Sequence, residues 1–464
     1  MHCALKECGI PAEVVVAVDV NTCANEVYKH NFPTTEVWAK TIEGITLEDF
    51  NRLSIDMILM SPPCQPFTRI GLQGDVMDPR SKSFLYILDI LPRLLKLPKY
   101  ILLENVKGFE ASSARDALIQ TLEKCGYQYQ EFLLTPTCLG VPNSRLRYFL
   151  IAKLKPETFC FQTTHQILTA FPDSKSETSQ SCSDGSEMFE CGSHVPVKEK
   201  LNASISESSS SNTCEQNSIL FKLETVKELE RKQSQDTDVS VCMLEDYLED
   251  NLQDLSQYLL TSKSLLRYAL ILDIVKPSCR RSTCFTKGYG HYVEGTGSVL
   301  QTAKDVEIDS AFRALETLPE EEKLANLSSL KLRYFTPREI ANLHGFPQSF
   351  DFPDKVTVRQ RYRLLGNSLN VHIVAQLISR AWSGHESRWP LEDRAPWSSG
   401  PWTGDGGTGG RVECPAQIAG WTLWAADAGR PLGQLRETLD PSRKERKGYG
   451  GLTAYTFKTS RSLV

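Results

Sequence analysis

Near-continuous apolar runs alternate with stretches of helical period over the first 155 residues of the chain. The apolar runs lie at 12–20, 56–60, 99–104, 127–134 and 145–154. The stretches with helical spacing are Asn21–Asn31, Ser83–Leu97 and Ser112–Cys125. Runs with so few polar positions are typical of strands buried on both faces of a parallel sheet. The alternation therefore predicts an α/β domain with a doubly wound, Rossmann-like sheet, which binds ligands at the carboxyl ends of its strands.

The pattern changes several times further along the chain. Asp173–Ser218 is rich in serine and poor in aliphatic residues, which predicts disorder, whereas 263–275 regains a helical period. Beyond Trp382, tryptophans lie among glycines and prolines without a sustained period, so we expect a disordered tail, with a small folded module as the alternative. The predicted units are a catalytic domain over 1–155, a disordered insertion over 156–218, a smaller irregular subdomain over 219–335, the C-terminal part of the catalytic domain over 336–382 and the tail over 383–464.

Charge and cysteine content narrow the range of partners. The net charge is −5, so a nucleic-acid partner would be held by local basic patches and not by bulk charge. The 14 cysteines include no C-x-x-C pair, and Cys279 and Cys284 have no neighbouring His/Cys pair, so we expect reduced thiols and no metal site. The chain opens without a signal-peptide pattern, and no apolar run approaches the ~20 residues of a membrane span, so we expect no membrane partner.

A lone cysteine, Cys64, lies among three prolines directly after the apolar run at 56–60. Prolines at 62 and 63 fix the backbone there, and Pro66 keeps Gln65 away from helical geometry. A cysteine that only packs in a core does not need so stiff a loop. The pattern therefore favours a nucleophile presented at the edge of the sheet.

Three further polar motifs are weak alone but informative together. Glu104 ends the next apolar run, where a glutamate is commonly just solvated. Arg145 and Arg147 have the spacing that places both side chains on one face of a strand. Gly366-Asn367-Ser368 forms a polar turn before the last helical stretch.

In this order the four motifs resemble those of the cytosine-C5 methyltransferase family. A thiolate that adds to C6 of cytosine makes C5 nucleophilic, and the resemblance implies this role for Cys64. Charge then develops at N3 and O2, where Glu104 as an acid and Arg145 as a cation would stabilise it, with Arg147 in support. The target base must leave its stack to reach such a pocket. Residues 219–335 then correspond to a target-recognition subdomain.

Three segments narrow the resemblance to the branch that methylates aspartate tRNA. They are PPCQPFTRIG (62–71), CFTKGYG (284–290) and GNSLNV (366–371). The resemblance implies cytosine 38 in the anticodon stem-loop as target, S-adenosylmethionine as cofactor, a monomer, and the cytoplasm as location, with the nucleus as a second compartment. The cofactor contacts that it implies are Asp19, Val20, Ile42, Glu43, Ser61, Asn367 and Ser368. The nucleic-acid contacts expected are Arg280, Arg281, Cys284, Phe285, Thr286 and Lys287, with a solvated basic loop as the alternative.

One departure from the family pattern affects these expectations. The family's glycine-rich first motif should precede HCALKECGI (2–10), yet the chain starts at Met1 within the corresponding helix. We therefore expect the first, central strand of the sheet to be missing, as in a splice variant or an alternative gene model. A DNA cytosine-C5 methyltransferase and a catalytically impaired RNA-binding isoform stay open as alternative functions.

Overall fold

The computed structural model describes residues 1–64, 75–172, 226–250, 255–313 and 315–382, together with the backbone of 416–421. The strands are β1 (Ala12–Val18), β2 (Val37–Trp38), β3 (Met57–Met60), β4 (Tyr100–Val106), β5 (Tyr127–Leu134), β6 (Arg147–Leu154), β7 (Ile274–Val275), β8 (Val299–Gln301), β9 (Leu332–Arg333) and β10 (Ala416–Trp421). The helices are α1 (His2–Glu7), α2 (Thr22–Asn31), α3 (Leu47–Leu53), α4 (Lys82–Ile90), α5 (Ser113–Lys124), α6 (Val226–Thr237), α7 (Ser262–Tyr268), α8 (Ile308–Phe312), α9 (Glu320–Ser329), α10 (Pro337–Leu343), α11 (Val358–Asn367) and α12 (Val371–Trp382).

Local sequence accounts for where several helices begin and end. The side chain of Asn21 accepts hydrogen bonds from the backbone N–H groups of Cys23 and Ala24, which caps α2. The predicted helix at 83–97 is shorter than expected, because α4 ends at Ile90 and a 3-10 turn containing Pro92 follows. The helical period at 263–275 is likewise divided between α7, a 3-10 turn and β7.

Seven strands form the main sheet in the order β2-β1-β10-β3-β4-β6-β5, and β7-β8-β9 form a smaller sheet. β6 is antiparallel to both β4 and β5, whereas the pairs from β2 to β4 are parallel. From β1 the chain moves outward to β2, and from β3 it moves outward to β4 on the other side. The direction of winding thus changes between β1 and β3, and ligands of doubly wound sheets bind at such a point.

The position between β1 and β3 is occupied by β10. Ala416 pairs with Ala12 and Trp421 with Val18 on one side, and Ile418 pairs with Met57 on the other. Two expectations are therefore wrong for these six residues: they do not belong to a tail without regular structure, and the sheet does not lack a central strand. The rest of 383–464 lies outside the described residues.

Helices cover both faces of the main sheet. One buried cluster joins β1, β3 and β4 to residues of α1, α2, α11 and α12. The other joins the opposite face of the same strands to residues of α3, α4 and α5. A third cluster forms the core of the smaller subdomain around β7, β8, α7 and α9. α12 packs against β4 and β6 of the main sheet.

The predicted insertion is ordered where it begins. Phe159 and Phe161 are buried in the core, and the backbone of Leu168 pairs with β5 through two hydrogen bonds of 2.8 and 3.0 Å. The expectation of disorder is therefore wrong for 156–172, and the remainder of the insertion lies outside the described residues. Among the helices that the structure describes, none is long and apolar enough to cross a membrane.

Candidate active site

Cys64 lies four residues beyond the end of β3, at the carboxyl edge of the sheet. Pro62 and Pro63 before it are buried, and Cys64 itself is half-buried. The side-chain amide of the fully buried Asn105 donates a hydrogen bond of 3.5 Å to the carbonyl of Pro62. Asn105 thus ties the stiff segment before the cysteine to β4. Gln65–Gly74 lie outside the described residues.

Glu104 is buried within β4, and its carboxyl group is contacted by residues in or directly after the strands on either side. Its side chain is 3% exposed, and the Ser61 hydroxyl donates a hydrogen bond to its Oε2. On the other side, Nε of Arg147 lies 3.6 Å from Oε1 of Glu104. The structure therefore brings the predicted acid and one of the predicted arginines together.

Arg147 also connects Glu104 to the smaller subdomain. Its Nη2 lies 3.7 Å from Sγ of Cys284, and Nη1 of Arg145 lies 3.3 Å from the same sulfur. Burial raises the pKa of the Cys284 thiol, but the two guanidinium groups outweigh it and lower this pKa below its usual value. Burial conversely lowers the pKa of Arg147, and the negative groups of Cys284, Glu104 and Cys64 raise it further than burial lowers it. The site is thus a compact set of alternating charges.

Arg145 joins the segment at Phe285 to the end of α11 through hydrogen bonds. Its guanidinium donates to the carbonyls of Phe285 at 2.9 Å and Gly366 at 3.2 Å, and also to the carbonyl of Ser368. The side chain is 3% exposed. Of the two arginines, Arg147 and not Arg145 lies beside Glu104. Which of the two contacts the base stays a prediction.

Gly366 and Asn367 form the end of α11 and not the predicted turn, and a glycine at 366 is required by a close approach between backbones. A Cβ atom at this position would overlap the backbone of Thr286 and Lys287. Only glycine lets α11 pack so closely against the segment that follows Cys284. The GNS and CFTK motifs, far apart in sequence, therefore meet here.

Of the expected cofactor residues, Asp19 and Ser61 directly follow β1 and β3, the strands between which the direction of winding changes. Asp19 directly follows β1, is 5% exposed, and accepts a hydrogen bond of 2.7 Å from the backbone N–H of Asn21. Glu43 accepts a 2.5 Å hydrogen bond from Ser83 and lies in the 3-10 turn that begins at the buried Ile42. Val20 and Asn367 are half-buried. Ser368 is buried and its hydroxyl donates to the carbonyl of Leu365.

The nucleic-acid contacts expected from the sequence occupy different environments. Arg281 is 7% exposed and pairs with Asp273 at 2.9 Å, so its guanidinium faces a carboxylate and not a phosphate surface. Phe285 is 1% exposed and packs edge-on against Tyr289 and Phe335, which makes it a core residue. For these two residues the structure contradicts the expected role.

The other four members of that set lie closer to the surface or to the site. Arg280 is half-buried and donates to the carbonyl of Val241, Thr286 is half-buried, and Lys287 is exposed. Cys284 contacts the two arginines described above, so its position belongs to the site itself. Lys287 and Thr286 stay predicted nucleic-acid contacts.

Two buried residues near the site carried no usable sequence signal. Nδ1 of His344 lies 3.1 Å from the Ser368 hydroxyl, and burial, followed by the charges of Arg145 and Arg147, places the pKa of His344 well below its usual value. Asn105 follows Glu104 in β4, and its contact with the carbonyl of Pro62 depends on the pairing of β3 with β4. Within the described part of the chain, no group of three or more His, Cys, Asp or Glu residues could hold a metal ion.

A family model for C-5 cytosine-specific DNA methylases matches residues 1–382. The chain belongs to this family. The human tRNA (cytosine(38)-C(5))-methyltransferase is 64% identical over 379 residues, which cover 82% of this chain and 95% of the human protein. A DNA (cytosine-5)-methyltransferase of Dictyostelium discoideum is 36% identical over 387 residues, covering 82% of this chain and 90% of that protein.

A solved structure of a Spodoptera frugiperda DNMT2 mutant has a similar fold. Its TM-score is 0.61 at 36% sequence identity, and the match covers 82% of this chain and 95% of that one. The comparison confirms the predicted α/β methyltransferase fold. This C-5 cytosine methylase is therefore an enzyme by family. The catalytic roles of Cys64, Glu104, Arg145 and Arg147 stay predictions.

Proposed function

We propose that this C-5 cytosine methylase transfers a methyl group from S-adenosylmethionine to C5 of cytosine 38 in the anticodon loop of tRNA. The observation that carries the substrate is the degree of similarity: 64% identity to the human tRNA enzyme, against 36% to the Dictyostelium DNA enzyme. The expectations of a monomer and of a cytoplasmic or nuclear location rest on the resemblance alone, and they stay proposals.

The chemistry follows from three side chains at one edge of the sheet. The Cys64 thiolate adds to C6 of the flipped cytosine, and the electron pair of the C5–C6 bond moves toward C5. Glu104 as an acid donates a proton to N3, and Arg147, beside Glu104, stabilises negative charge at O2. C5 would then bond to the methyl group as the bond between that group and the cofactor sulfur breaks. Loss of the C5 proton to solvent restores the C5–C6 double bond and releases the Cys64 thiolate, and the N3 proton returns to Glu104.

The residues near the point where the direction of winding changes, between β1 and β3, suit the proposed cofactor. When bound, S-adenosylmethionine supplies an electrophilic methyl group on a sulfonium sulfur. The buried carboxylate of Asp19 at the end of β1 matches the hydroxyls of a ribose, as acidic residues at such strand ends do in dinucleotide-binding sheets. The carboxylate of Glu43 provides a second acceptor beyond the neighbouring strand. These two carboxylates can accept hydrogen bonds from a nucleoside and favour a positively charged sulfur nearby.

A methylation assay decides between the tRNA and DNA substrates. The full chain, with labelled S-adenosylmethionine, is given an aspartate tRNA anticodon stem-loop or a DNA duplex of equal length, and a stem-loop with uracil at position 38 serves as control. We expect label only in the stem-loop with cytosine 38. Label in the duplex alone would establish a DNA enzyme.

The same assay also addresses the impaired isoform. Stem-loop binding without cofactor binding or label in any substrate would establish an RNA-binding protein that lacks activity. Titration of S-adenosylmethionine by calorimetry separates this outcome from a simple failure to recognise the chosen RNA.

A further inference from the structure

Ser61 occupies a position that sheet geometry connects directly to Glu104. Met60 pairs with Leu103 in the parallel ladder of β3 and β4, so the next residues in register are Ser61 and Glu104. Both side chains are buried, at 6% and 3% exposure, and the Ser61 hydroxyl donates to Oε2 of Glu104. The contact follows from the backbone register and does not depend on a long flexible side chain.

The other flank of Glu104 follows from a second ladder. Glu104 pairs with Phe149 in β6, and Arg147 lies two residues before Phe149 on the same face of the sheet. Diagonal neighbours of this kind lie within reach of a long side chain. Nε of Arg147 lies 3.6 Å from Oε1 of Glu104. Glu104 is thus held between a hydroxyl on one side and a guanidinium on the other.

The two neighbours differ in what they do when Glu104 gains or loses a proton. A guanidinium only donates hydrogen bonds and carries a positive charge, so it favours the ionised carboxylate over the carboxylic acid. A hydroxyl has one donor and two acceptor lone pairs, and it can rotate. Ser61 can therefore donate to Oε2 of the carboxylate and also to Oε2 of the carboxylic acid when the proton lies on Oε1, which leaves that proton available for N3. Its hydrogen bond survives the proton transfer that the reaction requires of Glu104.

We propose that Ser61 is a positioning residue for Glu104, holding its carboxyl group in place in both protonation states. The inference rests on the proposed chemistry of Glu104 and goes beyond it, because the family resemblance places Ser61 only among the cofactor contacts. A residue that orients a catalytic acid affects the rate of the chemical step, whereas a cofactor contact affects cofactor affinity. The two roles are separable by experiment.

The first test replaces the hydroxyl. We expect Ser61→Ala to lower the single-turnover rate at saturating S-adenosylmethionine at least tenfold, with cofactor affinity by calorimetry unchanged within twofold. Ser61→Thr keeps the hydroxyl and is expected to restore the rate to within threefold of the parent. A rate that stays low in Ser61→Thr, or a weaker cofactor affinity with an unchanged rate, would overturn the proposal.

The matched control is Ser112→Ala. Ser112 is 7% exposed and its hydroxyl caps α5, so its loss also removes one buried hydroxyl without touching Glu104. We expect a lower melting temperature and an unchanged rate. A similar loss of rate in both alanine variants would mean that Ser61 acts through general stability, and the proposal would fail.

A double-mutant cycle tests whether Ser61 acts through Glu104. In a Glu104→Gln background, Ser61→Ala is expected to slow the reaction by less than twofold further. A full additional tenfold loss would show an independent role and contradict the proposal.

One measurement does not depend on turnover. The infrared band of the Glu104 carboxyl group, isolated as the difference between the parent and Glu104→Gln, reports on its hydrogen bonds. We expect the band to shift in Ser61→Ala and to return in Ser61→Thr. If the parent transferred no methyl group, the proposed function would fail, while an unshifted band would reject the Ser61 contact itself.

Discussion

The two halves of the main sheet are built from very different stretches of sequence. The contiguous half, β4, β6 and β5, comes from residues 100–154 and is joined by ladders of seven and eight residue pairs. The parallel half, β2, β1, β10 and β3, takes β10 from residues 416–421. Its pairing of β10 with β3 has only four residue pairs, and that of β10 with β1 has a register shift.

The site lies across the boundary between these halves. Glu104 and Arg147 belong to the contiguous half, whereas Asp19, Ser61 and Cys64 follow strands on either side of β10. Local ladders form with little loop-closure entropy, and a strand from a distant segment forms only after a long loop has closed. We therefore expect the acid and arginine to be held independently of β10, and the cofactor side of the site to depend on it.

The largest effect is expected where both halves contribute to one reaction. Cys64→Ala removes the nucleophile, so methyl transfer should fall to background while RNA affinity changes less than threefold. Glu104→Gln should slow transfer by roughly 10²–10⁴-fold, because the amide cannot deliver a proton to N3. Single-turnover assays and filter binding measure the two quantities. Residual turnover within tenfold of the parent in Cys64→Ala would exclude the covalent mechanism.

A substitution in β10 should disrupt the parallel half of the sheet alone. Proline at Ala419 removes a backbone N–H from the middle of β10, which a central strand does not tolerate. We expect Ala419→Pro to weaken S-adenosylmethionine binding at least tenfold and to lower the melting temperature by several degrees. Ala419→Val keeps the N–H and is the control. Amide exchange should speed up in β1 and β3 and stay slow in β5 and β6; equal exchange in all four strands would show that the halves are one cooperative unit.

A smaller effect separates the two arginines. Arg145→Lys loses the fork that joins Phe285, Gly366 and Ser368, and we expect about 1–3 kcal/mol less stability toward urea. Arg147→Lys keeps a positive charge beside Glu104 and Cys284, so we expect it to lose less stability than Arg145→Lys and to lower the single-turnover rate instead. The opposite distribution of effects would restore Arg145 as the residue that contacts the base.

The smallest effect concerns the Cys284 thiol, which joins the smaller subdomain to both arginines. Its pKa is lowered in the folded state from the usual value of 9.0. The contribution of the thiolate to stability is therefore complete above pH 9 and is lost as the pH falls through the lowered folded-state pKa. The difference in melting temperature between the parent and Cys284→Ser should grow as the pH rises toward 9. A difference independent of pH would mean that the thiol is neutral when folded.

Much of the fold was predictable because the apolar runs are long and bounded by turn residues. The strands β1, β3, β4 and β6 lie within two residues of their predicted bounds, and β5 matches them at both ends. The ends of α4 and α7 were not predicted, since Pro92 and the short strand β7 overrode the helical period. The position of 416–421 had no periodic signal at all, because pairing on both sides and not local pattern places that strand.

The sequence by itself determined the chemical groups: a thiol held by prolines, a glutamate at a strand end, two arginines and a glycine turn, each readable because residue type and spacing are local properties. Only the tertiary structure decided which of these groups meet. The register of β3, β4 and β6 places Ser61 and Arg147 on either side of Glu104. Gly366 lies close to the backbone of Thr286, near Cys284 and the two arginines. The strand β10 pairs with β1 on one side and β3 on the other. Such contacts join residues distant in sequence, and they depend on burial and backbone geometry that no short motif encodes.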